Sequence, residues 1–401
     1  MQAVKPKAFI PGQTRIPLAV PTFGDAEVNE AIDSLKSGML TMGVKVKRFE
    51  EMWADYIGVE HAVMVNSGSS ANLLALSCLG LQPGDEVITP ALTWATTVFP
   101  IAQVGAVPVL VDVDLDTYNI GLWEIERALS PRTKAIMPVH LLGNPCHLRN
   151  IRLIADHENL RVVEDACEAH GATLDGHKVG QWGDLATFSF FFSHHISTIE
   201  GGMIVTNNEK IADRCRSLRS FGWARPMADF PDLAKRYPHI DPRFLFLNAG
   251  YNFRPTELQG GFGIHQLPRL EGFIQQRRET AAYWNRELVR LGGYSDYIQL
   301  QEERPGTRHV WFAYPILVRP GAPFTRNQLQ AFLENKGVET RQIEAGNMAI
   351  QPAMQQIKHR IAGSLANSEY IHSNAFFIGV HHGIGPEERE AVVGYFKEFF
   401  K

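Results

Sequence analysis

The chain alternates between segments with apolar residues at helical spacing and short runs of consecutive apolar residues. Helical spacing is typical of an amphipathic helix, whereas a short apolar run is typical of a strand that is covered on both faces. Two helices are predicted first, over Ala26–Ser37 and Lys45–Ile57. Seven strands follow, at Ala62–Val65, Glu86–Thr89, Val107–Val113, Ala135–Val139, Arg161–Val163, Thr187–Phe191 and Met203–Thr206. Helical segments lie between most of them, at Ser70–Leu79, Leu122–Leu129 and Leu148–His157.

Strands that alternate with helices favour an α/β fold with a mostly parallel, seven-stranded sheet covered on both faces. After this large lobe, Thr256–Leu288 predicts a helix or a pair of helices. A small α+β C-terminal lobe is expected next, with strands at His309–Val318, Val338–Gln342 and Phe376–Val380 and helices at Thr325–Lys336 and Pro386–Phe399. We therefore predict a large domain over residues 1–275 and a small domain over 276–401. Trp223–Leu247 is polar and rich in proline and aromatic residues, which predicts a long loop.

The composition narrows the class of protein. Of the 401 residues, 45% are hydrophobic and 20% are charged, as in soluble enzymes, and the net charge of −4 gives no basic field for nucleic acid. No apolar run approaches the roughly 20 residues of a membrane span, so we expect a cytoplasmic protein without a membrane partner. The four cysteines, which show no metal-binding spacing, predict reduced thiols and no metal site; they are Cys78, Cys146, Cys167 and Cys215.

Polar loops follow several of the predicted strands, where parallel sheets bind their ligands. Asn66–Asn72 places small residues before an apolar helix, where backbone N–H groups bind a phosphate or where serine and asparagine merely cap the helix. Trp94 follows the next predicted strand. Its indole suits stacking on a flat aromatic cofactor, although such a residue also suits a core.

Two further loops carry titratable residues. Asp165 follows the strand predicted at Arg161–Val163, where a carboxylate can pair with a pyridinium nitrogen or cap a turn. The loop from Ser189 carries His194 and His195, which are either incidental or suited to proton transfer near neutral pH. Together the four loops predict a site for a phosphate-bearing aromatic cofactor.

The same order of loops resembles the DegT/DnrJ/EryC1/StrS family of sugar-modifying enzymes, which depend on pyridoxal phosphate (PLP) and have the type I aspartate-aminotransferase fold. The resemblance runs from about Ile16 to the C-terminus. Its landmarks are Phe49–Gly58, Asn66–Ala71, Glu164–Ala166, Gly250–Gln259 and Glu339–Arg341.

The resemblance implies a role for each matching residue. Gly68, Ser69 and Ser189 would bind the phosphate, Trp94 would stack on the pyridine, and Asp165 would pair with its nitrogen. Glu168 lies where many relatives have glutamine or histidine near the phenolic oxygen of the cofactor. Asn252 resembles a residue that reaches the phosphate from the neighbouring subunit, which implies a homodimer with shared active sites.

His194 departs from the aminotransferases, in which a lysine at this position forms a Schiff base with PLP. No lysine occurs between Lys178 and Lys210. The His194–His195 pair, together with Ala345–Asn347 and Gln351–Pro352, resembles the branch of 3-dehydratases that act on nucleotide-linked 4-keto-6-deoxy sugars.

This branch implies that PLP, or its amine form pyridoxamine phosphate (PMP), binds without a covalent link. His194 would act as acid and base, and the 3-hydroxyl of the sugar would be removed. Glutamate is the expected amino donor, and Arg341 and Asn347 are expected to contact the substrate. A related branch uses a cysteine-bound iron–sulfur cluster, which the absence of cysteine after Cys215 disfavours.

Two other functions stay open at this point. A sugar aminotransferase could have dispensed with its lysine, in which case the product would retain the nitrogen. A non-catalytic regulator that binds PLP or a sugar would have the same loops without turnover.

Overall fold

The computed structural model describes residues 9–291 and 294–401. Its α-helices are α1 Asp25–Ser37, α2 Val44–Ile57, α3 Gly68–Cys78, α4 Ala95–Gln103, α5 Leu122–Ala128, α6 Leu148–Glu158, α7 Glu209–Arg219, α8 Phe230–Arg236, α9 Glu257–Gln266, α10 Leu270–Val289, α11 Tyr294–Tyr297, α12 Arg326–Asn335, α13 Ala366–Asn374 and α14 Pro386–Phe399. Its strands are β1 His61–Val65, β2 Glu86–Pro90, β3 Val107–Val111, β4 Thr133–Ile136, β5 Arg161–Asp165, β6 Thr173–Leu174, β7 His177–Lys178, β8 Leu185–Ser189, β9 Gly202–Thr206, β10 Ile298–Leu300, β11 Thr307–Arg308, β12 Tyr314–Val318, β13 Thr340–Gln342, β14 Arg360–Ile361 and β15 Ala375–Ile378.

The main sheet has the order β1-β9-β8-β5-β4-β2-β3-β14 within the described residues. From β8 to β14 the neighbours are parallel, whereas β9 is antiparallel to both β1 and β8. The seven predicted strands all lie in this sheet, which confirms the mostly parallel α/β fold. The predicted number of strands was one too low, because β14 is only two residues long and gives no apolar run.

Amphipathic helices pack against the main sheet and bury their apolar faces there. Phe49 and Trp53 lie one turn apart on α2, share one face and are fully buried.

The predicted segment Thr256–Leu288 is a pair of helices, α9 and α10, separated by a 3-10 turn that contains Pro268. Proline removes a backbone donor, which accounts for the break between the two helices.

A second sheet, β10-β12-β15-β13, is antiparallel and forms the centre of the C-terminal lobe. Helices α10, α12 and α14 contribute to its core through Trp284, Leu329 and Phe396. The predicted strand His309–Val318 is too long, because only its second half, β12, pairs in the sheet.

The first half, His309–Phe312, lies instead against a loop of the main sheet. The N–H of Phe312 donates to the carbonyl of Leu142 at 2.8 Å, and the N–H of Val310 donates to that of Gly143 at 3.0 Å. This segment therefore connects the two lobes beside the carboxyl ends of the main strands.

Two other expectations concern the segment Trp223–Leu247 and the boundary between the domains. The segment Trp223–Leu247 is not wholly a loop, since it contains α8 and a 3-10 turn at Pro242–Phe244. The division of the chain into domains at residue 275 stays a prediction, and that residue lies inside α10.

Candidate active site

A cavity of about 510 Å³ opens at the carboxyl ends of the parallel strands. Eight predicted site residues line it, namely Gly68, Ser69, Trp94, Asp165, Glu168, Ser189, His194 and Arg341. Residues that the sequence did not single out also line it, among them Asn72, Thr97, Glu200, Phe312 and Glu344.

One end of the cavity is the N-terminus of α3. Ser67 caps this helix by accepting a hydrogen bond from the N–H of Ser70 at 3.1 Å, so Gly68 and Ser69 lie in its first turn. A side chain on Gly68 would meet the Cβ of Ser189 at 2.5 Å, so glycine is what lets the serine approach the helix end. First-turn N–H groups, the helix dipole and a hydroxyl suit a phosphate group.

Asp165 ends β5 at the floor of the cavity. Its Oδ2 accepts hydrogen bonds from Asn72 at 2.9 Å and Thr97 at 2.8 Å, and its Oδ1 accepts one from the N–H of Cys167 at 3.2 Å. These donors are neutral, and Asp165 forms no ion pair within the described residues. A carboxylate that is oriented by neutral donors and faces a cavity fits a protonated pyridine nitrogen.

Asn72 and Thr97 were missed at the sequence level. Asn72 is a buried amide that precedes the apolar run of α3, and its Oδ1 accepts a hydrogen bond from Thr187 at 2.6 Å. An isolated amide among apolar residues is the signal that could have indicated it, because a buried polar group needs a partner.

Trp94 lies at the start of α4 with its side chain 46% exposed. The guanidinium carbon of Arg341, which enters from β13 of the C-terminal lobe, lies 5.6 Å from the indole ring centre. An exposed indole at the wall of the cavity fits a flat aromatic ring.

His194 follows β8 and lies at the cavity wall. Its ring packs edge-on against Phe312, with the ring centres 5.1 Å apart, and its Nδ1 is buried with no hydrogen-bond partner among the described residues. Burial lowers the pKa of His194 to about 3, and the charges of Arg277 and Arg341 act in the same direction. The ring of the ligand-free chain is therefore neutral at pH 7, and the same shift makes it a weaker base than a free imidazole.

His195 lies behind His194, away from the cavity. It is fully buried, and its Nε2 lies 2.9 Å from the carbonyl oxygen of Val310, to which it donates. Arg277, on α10, donates to the carbonyls of Trp311 at 3.1 Å and Phe312 at 2.9 Å. The inter-lobe segment His309–Phe312 thus supports both histidines.

Glu168 and Glu344 meet at another part of the wall, one from each lobe. Oε2 of Glu168 accepts a hydrogen bond from the N–H of Leu142 at 2.7 Å. Burial raises the pKa of both carboxyl groups, and in Glu168 the neighbouring Glu344 adds to the rise. Glu344 adopts a φ of 42°, in the left-handed region that non-glycine residues rarely occupy.

The two predicted asparagines do not line the cavity. Asn252 lies in the loop before α9, and its Oδ1 accepts a hydrogen bond from Arg254 at 3.1 Å. Asn347 is buried, and its Nδ2 donates to Glu369 at 3.2 Å. Their predicted roles toward a neighbouring cofactor and toward the substrate stay predictions.

Within residues 9–291 and 294–401, His, Cys, Asp and Glu side chains form no group of three or more that could hold a metal ion. In the same ranges, each helix is too short or too polar to span a bilayer.

The chain is similar to known proteins in both sequence and fold. The model of the DegT/DnrJ/EryC1/StrS aminotransferase family matches residues 21–397. The chain is 38% identical to a GDP-4-keto-6-deoxy-D-mannose 3-dehydratase of Yersinia pseudotuberculosis, covering 91% of this chain and 94% of that protein. It is 37% identical to a dTDP-4-dehydro-2,6-dideoxy-D-glucose 3-dehydratase of Saccharopolyspora spinosa, covering 98% of this chain and 88% of that protein.

A solved structure is similar over nearly the whole chain. The E. coli GDP-4-keto-6-deoxy-D-mannose-3-dehydratase with bound hydrated PLP superposes with a TM-score of 0.87 at 34% identity, over 95% of this chain and 98% of that one. The fold of that enzyme is therefore also the fold of this chain.

Proposed function

This chain belongs to the DegT/DnrJ/EryC1/StrS aminotransferase family, and we propose that it is a PLP-dependent dehydratase that removes the 3-hydroxyl of a nucleotide-linked 4-keto-6-deoxy sugar. The observation that carries the proposal is the position of the His194 imidazole at the cavity wall. Among the described residues that line the cavity, none is a lysine. The similar proteins named 3-dehydratases support the same reaction.

The residues of the cavity fit PLP or PMP held without a covalent bond. Gly68, Ser69 and Ser189 would bind the phosphate, Asp165 would hold the ring nitrogen, and Trp94 would stack on the ring. When bound, the cofactor supplies an electron-accepting ring and, as PMP, the amine and the electrons that reduce sugar carbon 3.

His194 would move the proton. The ring would take a proton from the carbon that bears the amine and would return it to the 3-hydroxyl oxygen, which would leave as water. A lysine amine would instead form a covalent bond to the cofactor. Once the enamine product is released, water would hydrolyse its carbon–nitrogen bond and the nitrogen would leave as ammonia. PMP would then have to be restored by an amino donor, for which we propose glutamate.

We also propose that the active form is a homodimer with shared sites. Apolar side chains near the cavity mouth are exposed in the single chain, including Trp94, Phe191, Phe192 and Ile199. Exposed apolar patches of this kind indicate an interface, and Asn252 would then reach the cofactor of the neighbouring subunit.

Hybrid dimers test the shared site. His194→Asn subunits mixed with Asn252→Ala subunits, both inactive alone, should regain activity, because one of the two sites then has both residues intact. Exchange of the subunits is checked by mass spectrometry of differently tagged chains. An inactive hybrid of confirmed composition would show that Asn252 serves its own subunit.

The reaction is tested by incubating the protein with PMP and 4-keto-6-deoxy sugars linked to GDP, CDP, UDP or dTDP. Mass spectrometry of the products should show loss of the sugar oxygen without a gain of nitrogen, and His194→Asn should abolish it. A product that retains nitrogen would instead support the lysine-free aminotransferase. Binding of cofactor and sugar without turnover of any of the four would favour the regulator.

A further inference from the structure

The inter-lobe segment His309–Phe312 is held in place by contacts from outside it. The loop at Leu142–Gly143 binds its backbone N–H groups at Val310 and Phe312. Trp311, which lies between them, adopts a φ of 50°, in the left-handed region that residues with a side chain rarely occupy. Such a backbone persists only where its surroundings hold it. The side chains that bind the carbonyl groups of the segment therefore contribute to placing Phe312.

Arg277, on α10, binds the end of the segment that lies beside His194. Its Nη1 donates to the carbonyl oxygens of Trp311 at 3.1 Å and Phe312 at 2.9 Å. Arg277 is 2% exposed and forms no ion pair within residues 9–291 and 294–401. Burial lowers its pKa to about 10, so the group still carries its charge at neutral pH. A buried cation without a carboxylate is costly, so a role beyond stability is expected at the groups that it contacts.

Phe312 connects Arg277 with the proposed proton carrier. The Phe312 ring lines the cavity and packs edge-on against the imidazole of His194, with the ring centres 5.1 Å apart. Nδ1 of His194 is buried without a hydrogen-bond partner among the described residues, so no hydrogen bond at that atom fixes the plane of the ring. The rings of His170 and Phe191 are more distant, each with its centre 6.2 Å away. Packing against Phe312 is therefore the closest ring contact that orients the imidazole.

We propose that Arg277 is a positioning residue for the proton transfer by His194. By binding the carbonyl group of Phe312, it keeps the phenyl ring against the imidazole and so fixes the orientation in which the imidazole faces the cavity. The inference rests on the proposed role of His194, and it assigns a residue that does not itself line the cavity. Orientation matters in such a step, since a misplacement of about 1 Å can cost about a hundredfold in rate.

Nuclear magnetic resonance of the ligand-free protein tests the positioning without turnover. With isotope-labelled histidine, the ring C–H signals of His194 are assigned by their loss in His194→Asn. In Arg277→Met these signals should move toward their positions in Phe312→Leu, because the phenyl ring no longer holds its place. Arg277→Lys should restore them, since Nη1 alone makes both hydrogen bonds and an ammonium group can replace it. Arg277→Gln, which is too short to reach both carbonyl groups, repeats the test if Arg277→Met does not fold, and unchanged signals in the folded variants would overturn the proposal.

Arg278→Gln is the matched control, because Arg278 neighbours Arg277 on α10 and binds the other end of the segment. Arg278 donates to the carbonyl oxygen of His309 at 2.5 Å. The side chain of His309 also binds Gln301 at 3.0 Å, so this end keeps a second contact when Arg278 is replaced. The control should leave the signals of His194 unchanged. A shift as large as that in Arg277→Met would show a general loosening of the segment and would contradict a specific role for Arg277.

Turnover supplies a second readout. Arg277→Met should lower kcat for dehydration by about tenfold or more, while KM for the nucleotide-linked sugar stays near that of the parent. The same change added to Phe312→Leu should cost little more, because the contact through Phe312 is already lost. Fully additive losses would show that Arg277 acts by another route. A pH profile that is displaced with its maximum turnover intact would show that Arg277 acts through its charge alone.

The two readouts separate this inference from the proposed function. If the parent dehydrates a sugar while Arg277→Met leaves both turnover and the signals of His194 unchanged, the positioning role is wrong and the proposed function stands. If the signals move as expected but the parent turns over none of the four nucleotide-linked sugars, the proposed function is wrong and the positioning of His194 by Arg277 stands.

Discussion

At the scale of single residues, the sequence indicated the groups that follow strands and missed those that depend on tertiary contacts. Asp165 and His194 could be predicted because each follows an apolar run whose end faces the ligand side of a parallel sheet. Glu344 comes from the other lobe, 176 residues along the chain from Glu168. Nothing local in the sequence indicates that the two carboxyl groups meet.

We predict that His194→Lys will bind PLP covalently, since the rest of the site resembles that of the lysine enzymes. Borohydride reduction followed by peptide mapping should place phosphopyridoxyl on residue 194, whereas the parent should show none on any lysine. Dehydration should fall sharply, because a lysine held in a covalent bond or as an ammonium is a poor proton acceptor.

His195→Asn is the companion variant. Its effect should be milder than that of His194→Asn, because His195 lies behind the cavity and binds the carbonyl of Val310. If His195→Asn abolished activity while His194→Asn left it intact, the roles of the two histidines would be reversed.

Asp165→Asn should lower turnover by about a hundredfold or more. The amide has nearly the same shape but no negative charge to hold a protonated ring nitrogen. The thermal midpoint of unfolding should stay close to that of the parent, since Asn72 and Thr97 still have a carbonyl oxygen to which they donate. Near-normal turnover would remove Asp165 from this role.

At the scale of elements, long periodic or apolar segments were predicted well and short ones poorly. Helices α1, α2 and α14 agree with prediction to within one residue at each end. By contrast, β14 gains its hydrogen bonds from β3 rather than from its own apolar pattern, and β12 is shorter than predicted because His309–Phe312 binds the loop at Leu142. Hydrogen bonds between distant parts of the chain therefore account for both the presence of β14 and the length of β12.

The junction between α3 and β8 yields a prediction at this scale. In Gly68→Ala the new methyl group would meet Ser189, so the helix end and the strand end must separate. Overpacking of this kind costs about 1–3 kcal/mol, and PLP affinity measured by fluorescence titration should fall accordingly.

Gly272→Ala is the control for that variant. Gly272 also lies in a helix, but a side chain there would meet nothing within 4 Å. The control should therefore bind PLP as the parent does. Equal affinities in both variants would show that the close approach of Ser189 is not needed for binding.

At the scale of the whole molecule, an ion-pair cluster around a buried carboxylate links a late segment of the chain to the main sheet. Glu86, on β2, is 1% exposed and accepts hydrogen bonds from Arg132 at 2.6 Å and from Arg360 of β14 at 2.7 Å. Burial alone would raise the pKa of Glu86, but the two arginines lower it overall. The cluster therefore links β14, which comes late in the chain, to β2 of the main sheet.

Glu86→Gln should lower the free energy of unfolding at pH 7 by about 1–3 kcal/mol, because both arginines lose their charged partner. A carboxyl group whose pKa is depressed by folding stabilises the protein above its unfolded pKa and loses that contribution as the pH falls through the folded one. Urea titrations should therefore show the gap between parent and variant closing in acid. A gap independent of pH would indicate that the charge of Glu86 is not what stabilises the protein.

The late position of β14 in the chain has a consequence for synthesis. Until residue 361 has left the ribosome, β3 is an open edge of the main sheet, with unpaired backbone groups along an apolar strand. Such edges pair readily with other chains and lead to aggregation. From the synthesis of β3 until residue 361 is added, roughly nine-tenths of the way along the chain, the nascent chain thus carries an open sheet edge. A product truncated after α10 is expected to aggregate for the same reason.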